Sequence, residues 1–516
     1  MDLTTTTTST HIDPKAAALL CVVITIPLLL IQQLVLQPKT KKSSSSIPDA
    51  TNAVPGLGNA LEYKEDPPGC IRAQQDATKR KVFRLNLAGR KMVIVGSCPV
   101  TMKHVASQPE SVLSSCRAVA EIGFEYTMGH FNVYEGTAWH KAILKNHYMG
   151  DKLETVFLPR IYKALEHATE QEMQLLNDNT TTSSTTTTTG PDLFPFVRQC
   201  FLRAILDEFV SPRLLANHPS LLQDCMVFQD KVEDATAKAA VLPRFLALPL
   251  CLWPTQAARR QLQQSLAAIL QQEIWNTRKD TTTTMGPWAQ TYLEEGTSPE
   301  RAAEHLIGLI FAGHKNPSIG AGQSLCFVRT ELTPEQQQCA TQEALLLCDA
   351  FQDNKNLTEA LLNATTLRAC VLETMRVTAH TLGAIRYAES AVKLPGDMII
   401  EAGETVSLAH HAMHMESSLW GDNPTQFSLD RWQQETTNDS SLGIPVDHYK
   451  LTTFSNGVHK CPGEKVALAM MELWLAIMLT RDAQLVGDLP PVSFERATLA
   501  QREGPVGFSV RSSSSS

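Results

Sequence analysis

The chain has 516 residues, 43% of them hydrophobic, and carries 45 basic against 53 acidic side chains for a formal net charge of −8. That length and apolar fraction are enough for a large buried core, while the acidic balance without any arginine-rich patch excludes a nucleic-acid-binding surface. The 12 cysteines are scattered with no paired CxxC spacing, which reads as reduced thiols rather than a disulfide framework.

Residues 1–15 read as a short tail. Ala16 to Leu36, AAALLCVVITIPLLLIQQLVL, contains no charge; as a helix it would span about 31 Å, enough to cross a bilayer core. Lys39, Lys41 and Lys42 follow at once, and the positive-inside tendency puts the rest of the chain in the cytosol. The rival is a cleaved signal peptide, but the apolar run exceeds a usual h-region and no small-x-small cleavage site stands out. Residues 37–60 are a polar and Pro/Gly-rich linker, residues 61–510 the body, and residues 511–516 a serine-rich tail. Threonine-rich tracts at Thr4–Thr8, Thr180–Thr189 and Thr281–Thr284 cannot bury apolar area and read as low-complexity loops.

Within the body, Lys81 to Gly96 alternates apolar and polar residues around Gly89 and predicts a β-hairpin. Val197 to Val210 and Arg259 to Trp275 repeat apolar residues three and four apart, the helical period. Glu300 to Leu332 predicts a long helix broken midway by Pro317. The segment ETMR, Glu373 to Arg376, lies on a predicted helix beginning near Leu361, where positions three apart share a face and can pair. More strand-like residues lie between Ala384 and Ser407. The histidines of AHHAMH, Ala409 to His414, lack a suitably spaced carboxylate and read as structural. The class is mainly helical with a small β part, in one large domain.

The most specific stretch is FSNGVHKCPGEK, Phe454 to Lys465. Cys461 precedes Pro462, Gly463 and a long apolar helix starting near Glu464. Unpaired N–H groups and the dipole at a helix N-terminus favour a thiolate there. Gly457 lets the preceding loop turn back, and Phe454 is placed to cover whatever the sulfur faces. A lone thiolate is a poor zinc site, since zinc takes three or four protein ligands. It suits a haem, whose porphyrin supplies the other four donors.

These residues resemble the haem-binding signature of the cytochrome P450 superfamily, F-x-x-G-x-[R/H]-x-C-x-G, at every defined position. The resemblance implies the mainly α fold of that superfamily, haem b as cofactor, and Cys461 as axial ligand to its iron, with Phe454, Gly457, His459 and Gly463 around it. It also implies that Glu373 and Arg376 meet Arg431, from QFSLDRW, in a buried network behind the haem. The family's oxygen-binding helix carries [A/G]-G-x-[D/E/H]-T. Ala312 and Gly313 match it, but Lys315 stands in the acid's place and Asn316 in the threonine's, which leaves Ser318 as a displaced hydroxyl and puts proton delivery in doubt. Arg386 matches a propionate-binding arginine of sterol 14-alpha-demethylases, and Tyr134 and Lys145, in VYEGTAWHKAILK, stand at that group's spacing. Trp139 is followed four residues later by Ile143 where the family often has arginine, so Lys145 or His140 must substitute.

The resemblance implies a monooxygenase that inserts oxygen from O2 into an apolar, membrane-soluble substrate, a sterol being the first candidate. No flavin-binding segment is evident, so electrons are expected from NADPH through a separate reductase, with Lys460 and Lys465 facing an acidic partner. The expected location is the endoplasmic reticulum membrane, single-pass, with the catalytic domain in the cytosol. Asn316 keeps a second reading open: a haem-thiolate isomerase or dehydratase that acts on lipid hydroperoxides without a reductase.

Overall fold

A computed structural model describes residues 47–182, 190–277, 285–432, 442–444, 449–495 and 499–511. The expected membrane anchor, residues 37–46 of the linker, the threonine tracts apart from Thr180–Thr182, and the serine-rich tail beyond Arg511 lie outside the described residues. No helix among the described residues is long and apolar enough to cross a membrane.

The expected hairpin is present as β1 (Val82–Leu87) and β2 (Arg90–Val95), paired antiparallel. Ala88 and Gly89 both take positive φ, +51° and +89°, the geometry that joins two twisted strands through a two-residue turn. Side chains alternate across the ribbon: Val93 and Val95 enter one apolar cluster and Ile94 another. The sheet continues with β3 (Leu113–Ser114), β4 (Gly383–Ala388) and β5 (Thr405–Leu408) in the spatial order β1-β2-β5-β4-β3, the β2–β5 pair being parallel. Distant segments are thereby brought beside the first hundred residues.

The remaining body is helical. The longer helices are α1 (Pro67–Thr78), α2 (Gly136–Tyr148), α3 (Leu158–Thr182), α4 (Leu193–Phe209), α5 (Ser220–Val241), α6 (Trp253–Leu270), α7 (Pro287–Glu294), α8 (Pro299–Thr330), α9 (Pro334–Asp353), α10 (Thr365–Val377) and α11 (Glu464–Thr480). α8 is the central rod and packs against α4, α6, α10 and α11. Its start follows from capping: Ser298 accepts from the Arg301 N–H and Pro299 takes the first turn, where a missing N–H costs nothing.

Two expectations need correction. α8 is not broken at Pro317 but runs unbroken from Pro299 to Thr330. A proline removes one helical hydrogen bond and crowds the preceding turn; here buried residues on both sides, from Leu306 to Val328, hold the helix continuous through it. The helix carrying Glu373 begins at Thr365 rather than near Leu361, because Leu357–Asn363 forms a separate helix. α11 begins at Glu464, as expected. It is apolar nearly all round, with Val466 and every residue from Leu468 to Leu479 buried, as befits a helix surrounded by others.

Candidate functional site

The loop before α11 is closed by its own backbone. The Cys461 N–H donates to the Phe454 carbonyl at 2.8 Å and the Lys460 N–H to that of Gly457 at 3.2 Å. Gly457 has φ +65°, and a Cβ there would lie 2.2 Å from the Ala106 carbonyl oxygen. A left-handed backbone and a close approach thus both require glycine. The loop aims Cys461 into a cavity of about 350 Å³.

Five residues of α8 form another wall of this cavity: Leu309, Ala312, Gly313, Asn316 and Pro317. They share one helix face by the 3.6-residue period. His314, Lys315 and Ser318 fall on the opposite face and are buried, so Lys315 and Ser318 do not line the cavity. The Lys315 ammonium instead meets Asp230 and Glu233 of α5, each at 2.9 Å, with Arg198 also on Asp230 at 2.9 Å. The Ser318 hydroxyl donates to the Lys315 carbonyl at 2.8 Å. Asn316 does face the cavity, and its Oδ1 accepts from the Leu499 N–H at 3.2 Å.

Behind the cysteine loop, Glu373 and Arg376 are fully buried and joined by two hydrogen bonds of 2.7 and 2.8 Å. Glu373 also accepts from the Ser428 N–H and the Trp432 indole, at 3.0 and 2.9 Å, and Arg431 reaches it at 3.4 Å. Arg376 donates to the carbonyls of His414, Pro424 and Gln426. The three residues meet as expected. They form a lock between α10 and the 424–432 segment and do not touch the cavity.

Cys461 corrects one expectation. The Gly463 N–H does hydrogen-bond its sulfur and lower its pKa, but burial outweighs this and pushes the thiol up to about 11. The group is a neutral thiol until a metal displaces its proton. Lys141, one residue beyond His140 on α2, and Lys460 are the cations whose charge reaches it. Lys460 is also paired with Glu464 at 2.9 Å.

The other named residues separate clearly. Phe454, His459 and Gly463 line the cavity. Arg386 lies on β4 just behind the lining, with its charge felt by His459 and His410. Tyr134 is 43% exposed and Lys145 is exposed; neither lines the cavity, because their positions in the 130–148 stretch face outward. Ile143 is core, and Trp139 bonds Glu295 at 2.6 Å. Of the two substitutes considered for the missing arginine, His140 reaches the cavity. Sequence reasoning missed Trp288, Met375 and His380 in the lining, and Asp230 and Glu233 as partners of Lys315. Two acids three apart on α5 were the available signal for the last pair. His410 also lines the cavity, whereas His411 and His414 are structural neighbours of Phe494 and Arg376.

The cavity suits a flat macrocycle with anionic edges. Its lining contains no Asp, Glu, Lys or Arg among the described residues. Around it, the His140 Nε2, Trp288 Nε1, Ser455 Oγ, Asn456 Nδ2 and Arg386 Nε atoms are buried without hydrogen-bond partners. Burial of so many unpaired polar atoms is costly, and propionate oxygens are acceptors for most of them.

A model of the cytochrome P450 family matches residues 48–484. The chain is 26% identical over 194 residues to cytochrome P450 714C3 of Oryza sativa subsp. japonica, covering 37% of this chain and 36% of that protein. It is 26% identical over 200 residues to the chloroplastic carotene epsilon-monooxygenase of Arabidopsis thaliana, covering 38% and 34%. Against cytochrome P450-DIT2 of Saccharomyces cerevisiae it is 24% identical over 280 residues, covering 52% and 55%. These matches span about one third to one half of the relatives' length. With the family match running through the cysteine loop and the whole of α11, the chain belongs to the cytochrome P450 family.

Proposed function

We propose that the protein is a haem-thiolate monooxygenase acting on an apolar substrate. The observation that carries this reading is that Cys461 and the Ala312–Gly313 face of α8 line one cavity, whose lining among the described residues carries no Asp, Glu, Lys or Arg. The haem, when bound, supplies the oxidising chemistry. Cys461 would ligate its iron, and the Gly463 N–H would orient the sulfur and moderate its electron donation. His459, His140, Ser455 and Arg386 would take its edges.

The chain's own contribution along the α8 wall is space, dryness and proton handling. Ala312 and Gly313 leave room that larger side chains would fill. Leu309, Val466 and Leu499 keep the cavity apolar. Asn316 has no acidic proton to give, so its amide, pinned through Leu499, orients water rather than delivering a proton itself. Pro317 has no N–H, which leaves the Gly313 carbonyl open to accept a hydrogen bond from such a water.

We further propose a sterol as the first substrate to test, an NADPH-dependent reductase as electron source, and residues 16–36 as an endoplasmic reticulum anchor. The test is incorporation of labelled oxygen from O2 by the haem-loaded full chain with reductase and NADPH. Labelled product that requires both supports the reading; none with any apolar substrate refutes it. A second reading is favoured by one specific observation: Lys315 and Ser318 turn away and Asn316 takes the wall. A hydroperoxide isomerase or dehydratase needs no proton relay for oxygen activation, and turnover of lipid hydroperoxides without reductant would establish it.

A further inference from the structure

A second cavity of about 500 Å³ lies between α5, the residues after α10 and the segment around Leu57 to Pro67. His380 lines both this cavity and the one that holds Cys461. Thr381 and Leu382 continue into the second cavity, and Ala384 returns to the first. The short connection from α10 to β4 is therefore the partition; Thr381, whose buried hydroxyl has no hydrogen-bond partner among the described residues, faces the second cavity alone, and His380 is the polar residue that reaches both.

The imidazole is held in place and left chemically open. Its ring packs edge-on against His410, centroids 4.6 Å apart, and His410 is itself anchored by a 2.6 Å hydrogen bond between its Nδ1 and the Thr452 hydroxyl. A Cβ on Gly383 would lie 2.2 Å from the His380 Nε2 and 2.9 Å from the His410 Nε2, so only glycine admits both rings. Neither ring nitrogen of His380 has a hydrogen-bond partner among the described residues. Burial pushes the imidazole down to about 4, so at neutral pH it offers one donor and one acceptor and no charge.

The surroundings select the kind of molecule that would use it. Leu57, Leu61, Leu242 and Phe494 give the second cavity apolar walls, and Leu61 is 57% exposed at its edge. Two of the charges there, Asp234 and Lys238, are paired with each other at 2.9 Å. A carboxylate or ammonium carried past them would find no counter-charge in the lining of the first cavity.

We propose that His380 is the specificity-determining residue of this enzyme, hydrogen-bonding a neutral hydroxyl or carbonyl of an otherwise apolar substrate at the throat between the two cavities. The proposal rests on the haem-thiolate reading and deepens it. A site built to hydrogen-bond one substrate oxygen rejects the analogue lacking it far more strongly than an apolar wall rejects an extra group.

The test uses the haem-loaded full chain and three ligands of one carbon skeleton: androstane, androstan-3-ol and androstan-3-one. Affinities are read from the spin-state shift of the haem. The wild type should bind the alcohol and the ketone at least about tenfold more tightly than the hydrocarbon, one hydrogen bond's worth. His380→Phe should abolish that preference without weakening androstane binding, and His380→Gln should restore part of it. The proposal is overturned if the wild type shows no preference, if His380→Phe keeps it, or if the variant loses affinity for all three alike. A variant that still shows the thiolate-type absorbance of its reduced carbonyl complex separates these outcomes from failure of the haem-thiolate reading, which would remove that band from the wild type too.

Discussion

Two polar regions flank the cysteine loop, and they are built on opposite terms. Behind it, Glu373, Arg376, Arg431 and Trp432 fill nearly every donor and acceptor position with a protein partner. Around the cavity, His140, Trp288, Ser455 and Arg386 each keep a buried polar atom with no partner. A saturated network stabilises the fold whether or not a ligand is present. A set of unpaired donors around a cavity costs stability until a ligand with acceptors arrives. The first region is therefore structure and the second is a binding site.

The sharpest way to break that contrast is to cut the saturated network. Glu373→Ala strands the Arg376 guanidinium in a fully buried place and should cost roughly 3–5 kcal/mol, read by denaturant unfolding of the apo chain. A cost below about 1 kcal/mol would mean that the network is not structural. Lys315→Ala comes next: it removes the buried ammonium that meets Asp230 and Glu233 and should cost about 3 kcal/mol. The double variant with Glu233→Gln should recover much of this, a coupling visible in a double-mutant cycle.

A third test concerns pH. Burial pushes Glu472, which faces Arg368 across 3.7 Å, from 4.5 up to about 7. The folded protein then holds a proton that the unfolded chain releases, so this group costs stability as pH rises from about 4.5 to 7. Above that the cost is constant, at roughly 3 kcal/mol. Glu472→Gln should gain stability relative to wild type across that window; parallel curves would contradict the assignment. The smallest effect belongs to the cavity wall. Trp288→Phe removes an unpaired donor and should leave apo stability within about 1 kcal/mol, while haem dissociates faster.

What the sequence revealed divides along the same line. The cysteine loop and Glu373–Arg376 were legible because each is a local arrangement fixed by spacing: a turn into a helix, a pair three residues apart. The hairpin was legible through its alternation. Pro317 misled because its local cost is overridden by packing along the whole of α8. Lys315 and Ser318 were assigned to the cavity through the motif alignment, yet the helix period alone separates them from Ala312, Gly313 and Asn316. His380 was silent, since its role depends on two cavities meeting at one residue, a fact of tertiary structure. The thiol of Cys461 was expected to ionise from its place at a helix start; burial, which no spacing reveals, reverses that.

The central claim is that Cys461 presents its sulfur to a haem. Among the described cysteines it alone lines the cavity. The direct measurement is the absorbance of the reduced carbonyl complex in wild type and in Cys461→Ser, with haem content determined in parallel. The account predicts a thiolate-type band in the wild type and its disappearance in the variant. A wild type that binds no haem, or a variant that keeps the band, would contradict it.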